Sequence, residues 1–431
     1  MKILVIGSGG REHALVWKFA QSPRVTEILA AHGNAGTAME PKSRNVAVGA
    51  SDLDGLLNLA QSERVDLTVV GPEQPLVDGV VNRFEAAGLK CFGPQAAAAR
   101  LEGSKAFTKA FLARHNIPTA AYETFEAPGP ALDYIRSRTL PVVIKADGLA
   151  AGKGVIIAET FEEAERTVRE MLEQRTFGDA GATVVVEDFL RGEEASFIAV
   201  VDDTRIVPLA SSQDHKTRDE GDRGPNTGGM GAYSPAPVLT PELHRRVMDE
   251  IMIPTVTGMS AEGMAYRGFL YAGLMIDPDG APRVLEYNCR FGDPETQPVL
   301  ARMRSDLTEL CLAAFDGSLD SIDVEWDPRA AVGVVLASGG YPGAYATGAP
   351  ISGLNTDFGD DTLVFHAGTR EDDGAIVTSG GRVLCVVGLG HTVGSAAELA
   401  YSSTARIHWK DVYYRRDIGY RAIRRERDSM A

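Results

Sequence analysis

Two lysines near residue 150 have the type and spacing to hold a polyphosphate. Lys145 ends the apolar stretch 141 to 145, and Lys153 follows in a loop flanked by glycines. A buried ammonium group is costly without an anion beside it, so Lys145 needs an anionic partner. The segment lacks the GxxxxGK[ST] pattern of a P-loop. We interpret residues 147 to 154 as a flexible flap over a triphosphate, with Lys153 as a point charge; two surface lysines are the alternative.

Glu286 and Asn288 form a second chemical pair, at the end of the strand-like stretch 283 to 287. Residues at i and i+2 of a strand lie on one face. A carboxylate and an amide oxygen side by side suit Mg²⁺, or Mn²⁺ in its place, with phosphate oxygens and water completing the shell. Arg290 falls on the same face, where its guanidinium can hold a phosphate or carboxylate through two hydrogen bonds. A salt bridge between strands is the alternative.

An acidic, then apolar, then acidic segment follows the predicted strand 183 to 187. Backbone groups near Asp188 and Leu190 can read the edge of an adenine, while Phe189 and Leu190 cover its faces. Either Glu193 or Glu194 can accept hydrogen bonds from ribose hydroxyls. The alternative is a solvated acidic turn after an edge strand.

Residues 211 to 235 form a long, polar, glycine-rich segment for which we predict a loop. Structureless loops of this length inside compact domains are usually functional or disordered. Asp214 can hold a substrate ammonium group, and the glycines allow close backbone approach. His215 is a candidate general base, although a lone histidine is more often structural.

A glycine turn, Gly7-Ser8-Gly9-Gly10, joins the first strand to the first helix. The third glycine position of a GxGxxG fingerprint is occupied by Glu12, which weakens a nicotinamide-binding interpretation. Backbone amides at Ser8, Gly9 and Gly10, together with the start of the helix, can still bind a phosphate. A tight structural turn is the alternative.

Alternating apolar and helical stretches up to residue 92 must position that turn. We predict strands at 3–6, 27–31, 45–48, 67–70 and 89–92, with helices at 12–21, 53–61 and 77–87. This order predicts a parallel α/β sheet. Ligands bind at the carboxyl ends of such strands, where residues 7–10, 32–36 and 71–73 emerge.

The fold class expected for the whole chain is multidomain, α/β and α+β. We place an N-terminal α/β domain at 1–102, a two-lobed body at 103–326 with a mobile lobe at about 122–194, and a small C-terminal domain at 327–431. The body is predicted to begin with a helix at 105–115. Its strands are expected at 141–145, 155–158, 183–187, 195–201, 268–276 and 283–287. Strands at 330–337 and 383–389 and a helix at 395–401 are expected in the last domain.

Composition narrows the class of protein. Hydrophobic residues at 44% and charged residues at 24% are typical of soluble globular chains, and 431 residues require several cores. The net charge of −16 opposes non-specific binding to nucleic acid. The four dispersed cysteines favour reduced, structural side chains. With no apparent secretory signal or membrane span, we expect a cytoplasmic protein.

Motifs along nearly the whole chain, in order and spacing, resemble the phosphoribosylamine–glycine ligases, a family of the ATP-grasp superfamily. They comprise residues 7–14, 32–37, 144–155, 214–216, 228–235 and 285–297. The resemblance implies two ATP-grasp lobes around ATP, with Lys105, Lys145 and Lys153 on its phosphates. It implies adenine contacts from Glu187 through Leu190, a ribose contact from Glu194 more than Glu193, and metal ligands at Glu286 and Asn288. The stretch 272–275, Ala-Gly-Leu-Met, lacks the further acidic ligand of many ATP-grasp enzymes.

The activity implied by the resemblance is ligation of glycine to 5-phosphoribosylamine in de novo purine biosynthesis, through glycyl phosphate. Catalytic roles fall to Lys145, Lys153, Arg290 and Asp214. The substrate phosphate is expected on Ser8, Gly9 and Gly10, with Asn34 and Glu73 near its sugar. We expect a monomer that contacts the upstream amidotransferase transiently. The alternatives are another ATP-grasp carboxylate–amine ligase, an ATP-grasp carboxylase, a non-catalytic ATP-binding protein and, last, a nicotinamide oxidoreductase.

Overall fold

The structure is a computed structural model that describes residues 1–149 and 154–430. Lys153 lies outside the described residues, so its assignment to ATP phosphates stays a prediction. Among the helices of the described ranges, none combines the length and apolarity needed to cross a bilayer.

A five-stranded parallel sheet, in the order β3-β2-β1-β4-β5, organises the N-terminal part. Its central strands are almost wholly apolar because helices cover both faces. The elements are β1 Lys2–Gly7, α1 Gly10–Ala20, β2 Glu27–His32, β3 Ser43–Val46, α2 Leu53–Ser62, β4 Leu67–Val70, α3 Glu73–Val77, α4 Val80–Ala86, β5 Cys91–Phe92, α5 Ala96–Gly103 and α6 Lys105–Arg114. The predicted parallel α/β sheet is confirmed.

Two antiparallel four-stranded sheets form the middle of the chain. The first, in the order β6-β9-β7-β8, comprises β6 Tyr122–Phe125, β7 Val142–Ala146, β8 Val155–Ala158 and β9 Val184–Asp188, with helices α7 Pro128–Arg136 and α8 Phe161–Leu172. It has its own apolar core. The second, in the order β11-β10-β16-β17, comprises β10 Glu193–Asp202, β11 Arg205–Pro208, β16 Arg267–Ile276 and β17 Pro282–Asn288.

The segment 211–235 is not the structureless loop that we predicted. It contains β12 Gln213–Asp214, β13 Thr217–Asp219, β14 Arg223–Asn226 and β15 Gly231–Ser234. β12 and β15 belong to a sheet with the distant strand β18 Ala330–Ala337, so their partners lie far away in sequence. Strands of two to four polar or glycine residues show no apolar alternation, which is why the pattern missed them.

The last part of the chain completes that sheet, in the order β12-β15-β18-β22-β19. Its further elements are β19 Thr362–His366, β20 Thr369–Asp372, β21 Ala375–Thr378, β22 Arg382–Gly390, α13 Val393–Thr404 and α14 Tyr420–Met430. Between the second middle sheet and β18 lie α9 Pro241–Val247, α10 Ile253–Ala261, α11 Thr296–Arg302 and α12 Leu307–Asp316. The sheet contains strands from both sides of the proposed boundary at 326/327, since β12 and β15 precede it and β18 follows it. That boundary therefore stays a prediction.

Candidate active site

A cavity of about 550 Å³ lies where the three parts of the chain meet. Its wall combines the N-terminal helices, both middle sheets and residues from the start of β22. Most of the polar side chains singled out from the sequence face it. They are Glu73, Lys105, Lys145, Glu187, Asp188, Glu194, Asp214, Glu286, Asn288 and Arg290.

Lys145 has the buried anionic partner that its position demanded. Its ammonium lies 2.8 Å from Glu187, and Lys109 lies 2.8 Å from the other oxygen of the same carboxylate. Burial opposes ionisation of Glu187, but the charges of Lys145 and Lys109 outweigh it and lower its pKa. Two ammonium groups therefore share one carboxylate, which leaves a net positive charge for a phosphate to neutralise.

Glu286 projects from β17 into the cavity and contacts a lysine that we had not assigned. Lys216 lies 3.1 Å from Glu286 and 3.2 Å from Glu194. The Lys216 charge, against the effect of burial, lowers the pKa of Glu286 to about 2, so this carboxylate is ionised. The Lys216 ammonium group therefore already contacts this carboxylate. Together with the Asn288 amide on the same strand, this donor set fits a divalent ion that also takes phosphate oxygens.

Asp214 lies in the same wall, two residues before Lys216 in sequence and at the edge of the C-terminal sheet. Burial raises its pKa well above the usual range, although Lys216 acts in the opposite direction. A substrate cation beside Asp214 would stabilise its ionised form.

Lys105 opens α6 and reaches the other side of the phosphate region. Ser104 caps this helix through the Phe107 amide, and the Lys105 ammonium donates to the Gly148 carbonyl at 2.8 Å. Asp147 accepts from the Ala106 amide at 3.1 Å. The described start of the proposed flap is thus tied to α6. Burial lowers the pKa of Lys105, while Glu286 favours its charged form.

Arg290 points to a different set of partners from Glu286, although both line the cavity. Its guanidinium lies 3.3 Å from Glu73 and 3.1 Å from Glu102. Arg11 of α1 also lines this end and favours the ionised form of Glu73. We call the end of the cavity near Lys145 and Glu286 the phosphate end, after the role predicted for it, and the end around Arg290 the second end.

The segment after β9 lines the phosphate end, but its acidic side chains differ in role. Arg138 holds Asp188 through two hydrogen bonds. Phe189 and Leu190 line the cavity with Glu194. Glu193 is not among the described cavity-lining residues; it forms two hydrogen bonds with Arg425 of α14, at 2.7 and 2.6 Å.

The glycine turn borders the second end of the cavity without being among its lining residues. A side-chain carbon placed on Gly9 or Gly10 would lie within 4 Å of Asp293, which does line it. The Gly9 amide donates to Glu12 at 2.5 Å. Part of the phosphate-binding capacity that we assigned to Ser8, Gly9 and Gly10 is therefore used by the protein's own carboxylate.

Asn34 is used structurally in this arrangement. Its amide nitrogen donates to the Ser8 carbonyl at 2.9 Å and to the His366 carbonyl at 2.8 Å, and its oxygen accepts from the Gly36 and Thr37 amides. Its assignment near a sugar stays a prediction. The side chain fixes the glycine turn against the C-terminal part.

His215 is buried away from the cavity lining. Burial, with the Arg415 charge, lowers its pKa to about 4, and its Nε2 accepts from the Gly419 amide at 3.2 Å. A neutral histidine that accepts from the backbone agrees with the structural alternative.

Sequence reasoning missed several residues of the site. Lys109 could have been found, because it lies one helical turn after Lys105. Lys216 stands in the motif 214–216, in which we considered roles for Asp214 and His215 but none for the lysine. Arg11, Asp293 and Glu295 stand in motifs that we quoted, but they were given no role. No local signal points to Glu102, Tyr341 and Arg382, which face the cavity only after distant segments meet.

Family models of phosphoribosylglycinamide synthetase match the chain in three segments. The N domain matches residues 1–102, the ATP-grasp (A) domain residues 103–296, and the C domain residues 331–421. The chain has this three-domain architecture, with an ATP-grasp middle.

Curated relatives match over almost the full length. The phosphoribosylamine–glycine ligase of Escherichia coli is 62% identical over 429 residues, covering 99% of this chain and 100% of that one. The enzyme of the same name from Allochromatium vinosum is 62% identical over 427 residues, again with 99% and 100% coverage.

Solved structures agree. The crystal structure of phosphoribosylamine–glycine ligase from Thermotoga maritima has a TM-score of 0.84 and 37% identity, and covers 97% of this chain and 100% of that one. The biotin carboxylase domain of Hydrogenobacter thermophilus 2-oxoglutarate carboxylase has a TM-score of 0.74 at 16% identity, covering 96% and 91%, and shares the fold alone. On the family models, the relatives and the shared architecture, the chain belongs to the phosphoribosylglycinamide synthetase family.

Proposed function

We propose that this protein is an ATP-dependent carbon–nitrogen ligase that joins glycine to 5-phosphoribosylamine, giving glycinamide ribonucleotide, ADP and phosphate. This is a step of de novo purine biosynthesis. The observation that carries the proposal is the gathering of Lys105, Lys145 and Lys216 with Glu286 around one cavity in a chain of this family. The names of its relatives support it.

Amide formation from a carboxylate needs activation, because the carboxylate is a poor electrophile. Glycine's carboxylate oxygen attacks the γ-phosphorus of ATP, giving glycyl phosphate and ADP. Lys145 and Lys216 neutralise charge on the transferring group. Mg²⁺ or Mn²⁺ held by Glu286 and Asn288 would supply Lewis-acid charge neutralisation at the phosphate oxygens. The amine of phosphoribosylamine then attacks the acyl carbon and phosphate leaves.

The nucleotide is proposed to lie between the middle sheets. Phe189 and Leu190 would cover the adenine, backbone groups of residues 187–190 would read its edge, and Glu194 would accept from the ribose. The Glu187 side chain is committed to Lys109 and Lys145, so its part in adenine binding is limited to its backbone.

The two substrates are proposed to lie beyond the nucleotide, with glycine next to Asp214 and phosphoribosylamine at the second end of the cavity. Asp214 would hold the ammonium group of glycine. Arg290 would hold an anionic group of a substrate, and Glu73 would lie near the sugar. The phosphate of phosphoribosylamine would lie near the 8–10 turn. A water-excluding closure of the 122–194 lobe and of the flap that carries Lys153 would protect the acyl phosphate from hydrolysis.

A coupled assay tests the proposal. With ATP, Mg²⁺, glycine and freshly generated phosphoribosylamine, ADP and glycinamide ribonucleotide are expected in equal amounts, and omission of either substrate should abolish the amide. Equal ADP release without glycine, or with bicarbonate in its place, would favour a different ATP-grasp activity. We further propose that the enzyme is a cytoplasmic monomer that receives phosphoribosylamine through transient contact with an amidotransferase.

Two adjacent glutamates provide a matched pair of variants. Glu194→Gln should raise KM for ATP roughly tenfold or more, because a charge-assisted hydrogen bond is worth ~1.5–3 kcal/mol. Glu193→Gln should leave that KM nearly unchanged, since Glu193 faces Arg425. Steady-state kinetics with ATP and with its 2′- and 3′-deoxy analogues checks this. If Glu194→Gln still discriminates against both deoxy analogues as the wild type does, Glu194 is not the ribose ligand.

A further inference from the structure

Two carboxylates compete for one guanidinium at the second end of the cavity. Glu102, the next-to-last residue of α5, accepts from the Cys289 amide at 2.6 Å and lies 3.1 Å from Arg290. Glu73 lies 3.3 Å from the Nε atom of the same arginine. One positive charge thus serves two carboxylates, and the more deeply placed of them, Glu102, has a side chain only 7% exposed.

Several other carboxylates of the cavity also lie next to cations, at distances of 2.8 to 3.2 Å. Glu187 has two lysines, Glu194 and Glu286 share Lys216, and Asp293 lies 2.8 Å from Arg382. Burial raises the pKa of Glu102 to about 7, with Arg290 acting in the opposite direction. Near neutral pH, Glu102 is therefore present in both its protonated and its ionised form.

The chain also places Glu102 between the two ends of the cavity. α5 ends at Gly103 and α6 begins at Lys105, so this short junction puts Glu102 beside Arg290 and Lys105 beside the phosphate region. The acyl carbon must lie between these ends, because it is bonded to the phosphate on one side and attacked by the amine from the other. Glu102, Lys105 and Arg290 all line the cavity, so we expect the attacking nitrogen to approach this junction.

We propose that Glu102 is the general base that takes the proton from the amine of phosphoribosylamine as it attacks glycyl phosphate. This rests on the proposed function. In the step, the nitrogen lone pair forms the bond to the acyl carbon, and the bond from that carbon to the phosphate oxygen breaks with its electron pair leaving on phosphate. One nitrogen-bound proton passes to the Glu102 carboxylate and then to solvent or to the departing phosphate. No other reactant is required.

The pKa of Glu102 depends on the charged and titratable groups that face it. They are Arg11, Glu73, Lys105, Tyr266, Cys289 and Arg290. Only the ionised form of Glu102 can accept the proton. The amine-transfer rate should therefore rise as pH increases through about 7 and level off above it.

Separating the two half-reactions tests this role. Glycyl phosphate formed in the first step can be trapped with hydroxylamine, a strong nucleophile that needs no protein base, as glycine hydroxamate. Glu102→Gln, which keeps an oxygen to accept from the Cys289 amide, should form hydroxamate within about twofold of wild type. Its single-turnover transfer to phosphoribosylamine should fall on the order of 10²–10⁴-fold and lose the rise through pH 7. Glu398→Gln, an exposed change on α13, is the matched control and should behave as wild type.

The outcomes are distinguishable. If Glu102→Gln transfers to the amine at the wild-type rate, or keeps the wild-type pH profile, or loses hydroxamate formation as strongly as transfer, the role as base is overturned. A wild-type enzyme that forms neither hydroxamate nor glycine-dependent ADP contradicts the proposed function instead. Should Glu102→Gln fail to fold, Glu102→Asp replaces it. That variant keeps a carboxylate and should retain the pH-dependent rise at a reduced rate, and a pH-independent transfer by it would overturn the role.

Discussion

Glu286→Gln should lower kcat on the order of 10³-fold while leaving the fold intact. The change keeps the side-chain shape but removes the charge that we propose holds the divalent ion, and the Lewis-acid contribution of such an ion is several kcal/mol. Lys216 keeps Glu194 as a partner at 3.2 Å, so the free energy of unfolding should fall by only about 1–2 kcal/mol. Steady-state kinetics and urea unfolding measure the two effects separately.

A direct metal readout accompanies that prediction. Mn²⁺ binding in the presence of ADP, followed by electron paramagnetic resonance, should weaken strongly in Glu286→Gln and remain unchanged in Glu262→Gln. Glu262 is a suitable control because it pairs with Arg114 and His115 outside the cavity. Near-normal Mg²⁺-dependent turnover by Glu286→Gln would contradict the assignment of this residue to the metal.

Lys145→Met should lower kcat/KM for ATP on the order of 10²–10³-fold, the effect of removing one donor aimed at transition-state charge. The free energy of unfolding should fall by less than is usual when one partner of a buried ion pair is removed. Glu187 has two ammonium partners at 2.8 Å, so removal of Lys145 leaves a neutral pair with Lys109 rather than an isolated carboxylate. Nucleotide binding measured by calorimetry, together with the kinetics, checks this expectation.

Lys90→Met provides the matched control, because Lys90 lies over the Phe315 ring and outside the cavity lining. It should leave ATP kinetics unchanged. If Lys145→Met instead unfolds the protein while a chaperone-rescued fraction retains full specific activity, the lysine is structural. Retention of wild-type ATP kinetics by a folded Lys145→Met variant would lead to the same conclusion.

The elements that could be predicted from sequence are those whose pattern is local. β1, β4 and β7 are short apolar runs, and each was predicted to within one or two residues; in the parallel strands β1 and β4, burial on both faces requires such runs. The helix predicted at 77–87 corresponds to α4, which begins only at Val80, and the separate helix α3, which ends at Val77, was not predicted. Gly79, at φ 86°, adopts a left-handed conformation that ends the helical path.

The site was predictable where chemistry follows strand geometry. Glu286 and Asn288 needed only the two-residue period of a strand, and Lys145 needed only the cost of a buried charge. The partners of those groups were not predictable in this way. Lys216 meets Glu286 across 70 residues, and Glu102 meets Arg290 across nearly 190, through a fold that brings α5 beside the end of β17.

The same limit explains why Arg290 was placed with the metal ligands. Strand alternation puts residues 286, 288 and 290 on one face, but β17 ends at Asn288. Beyond that point the Arg290 guanidinium pairs with carboxylates of α3 and α5, namely Glu73 and Glu102. Alternation predicts direction only while a strand continues.

A strongly acidic chain that binds ATP needs local cations, and the cavity supplies them. Against a net charge of −16, it gathers Lys105, Lys109, Lys145 and Lys216 at one end and Arg11, Arg290 and Arg382 at the other. Each is held by a carboxylate or a carbonyl. The surrounding acid groups keep the cations ionised in a buried site and leave net positive charge where phosphate must enter.

The transfer of oxygen from glycine to phosphate tests the central claim most directly. Glycine labelled with ¹⁸O in both carboxylate oxygens is incubated with enzyme, ATP, Mg²⁺ and phosphoribosylamine, and the released phosphate is analysed by mass spectrometry. If the carboxylate is phosphorylated in this cavity, each phosphate carries one ¹⁸O and the amide product keeps the other. Unlabelled phosphate formed alongside the amide would contradict the account.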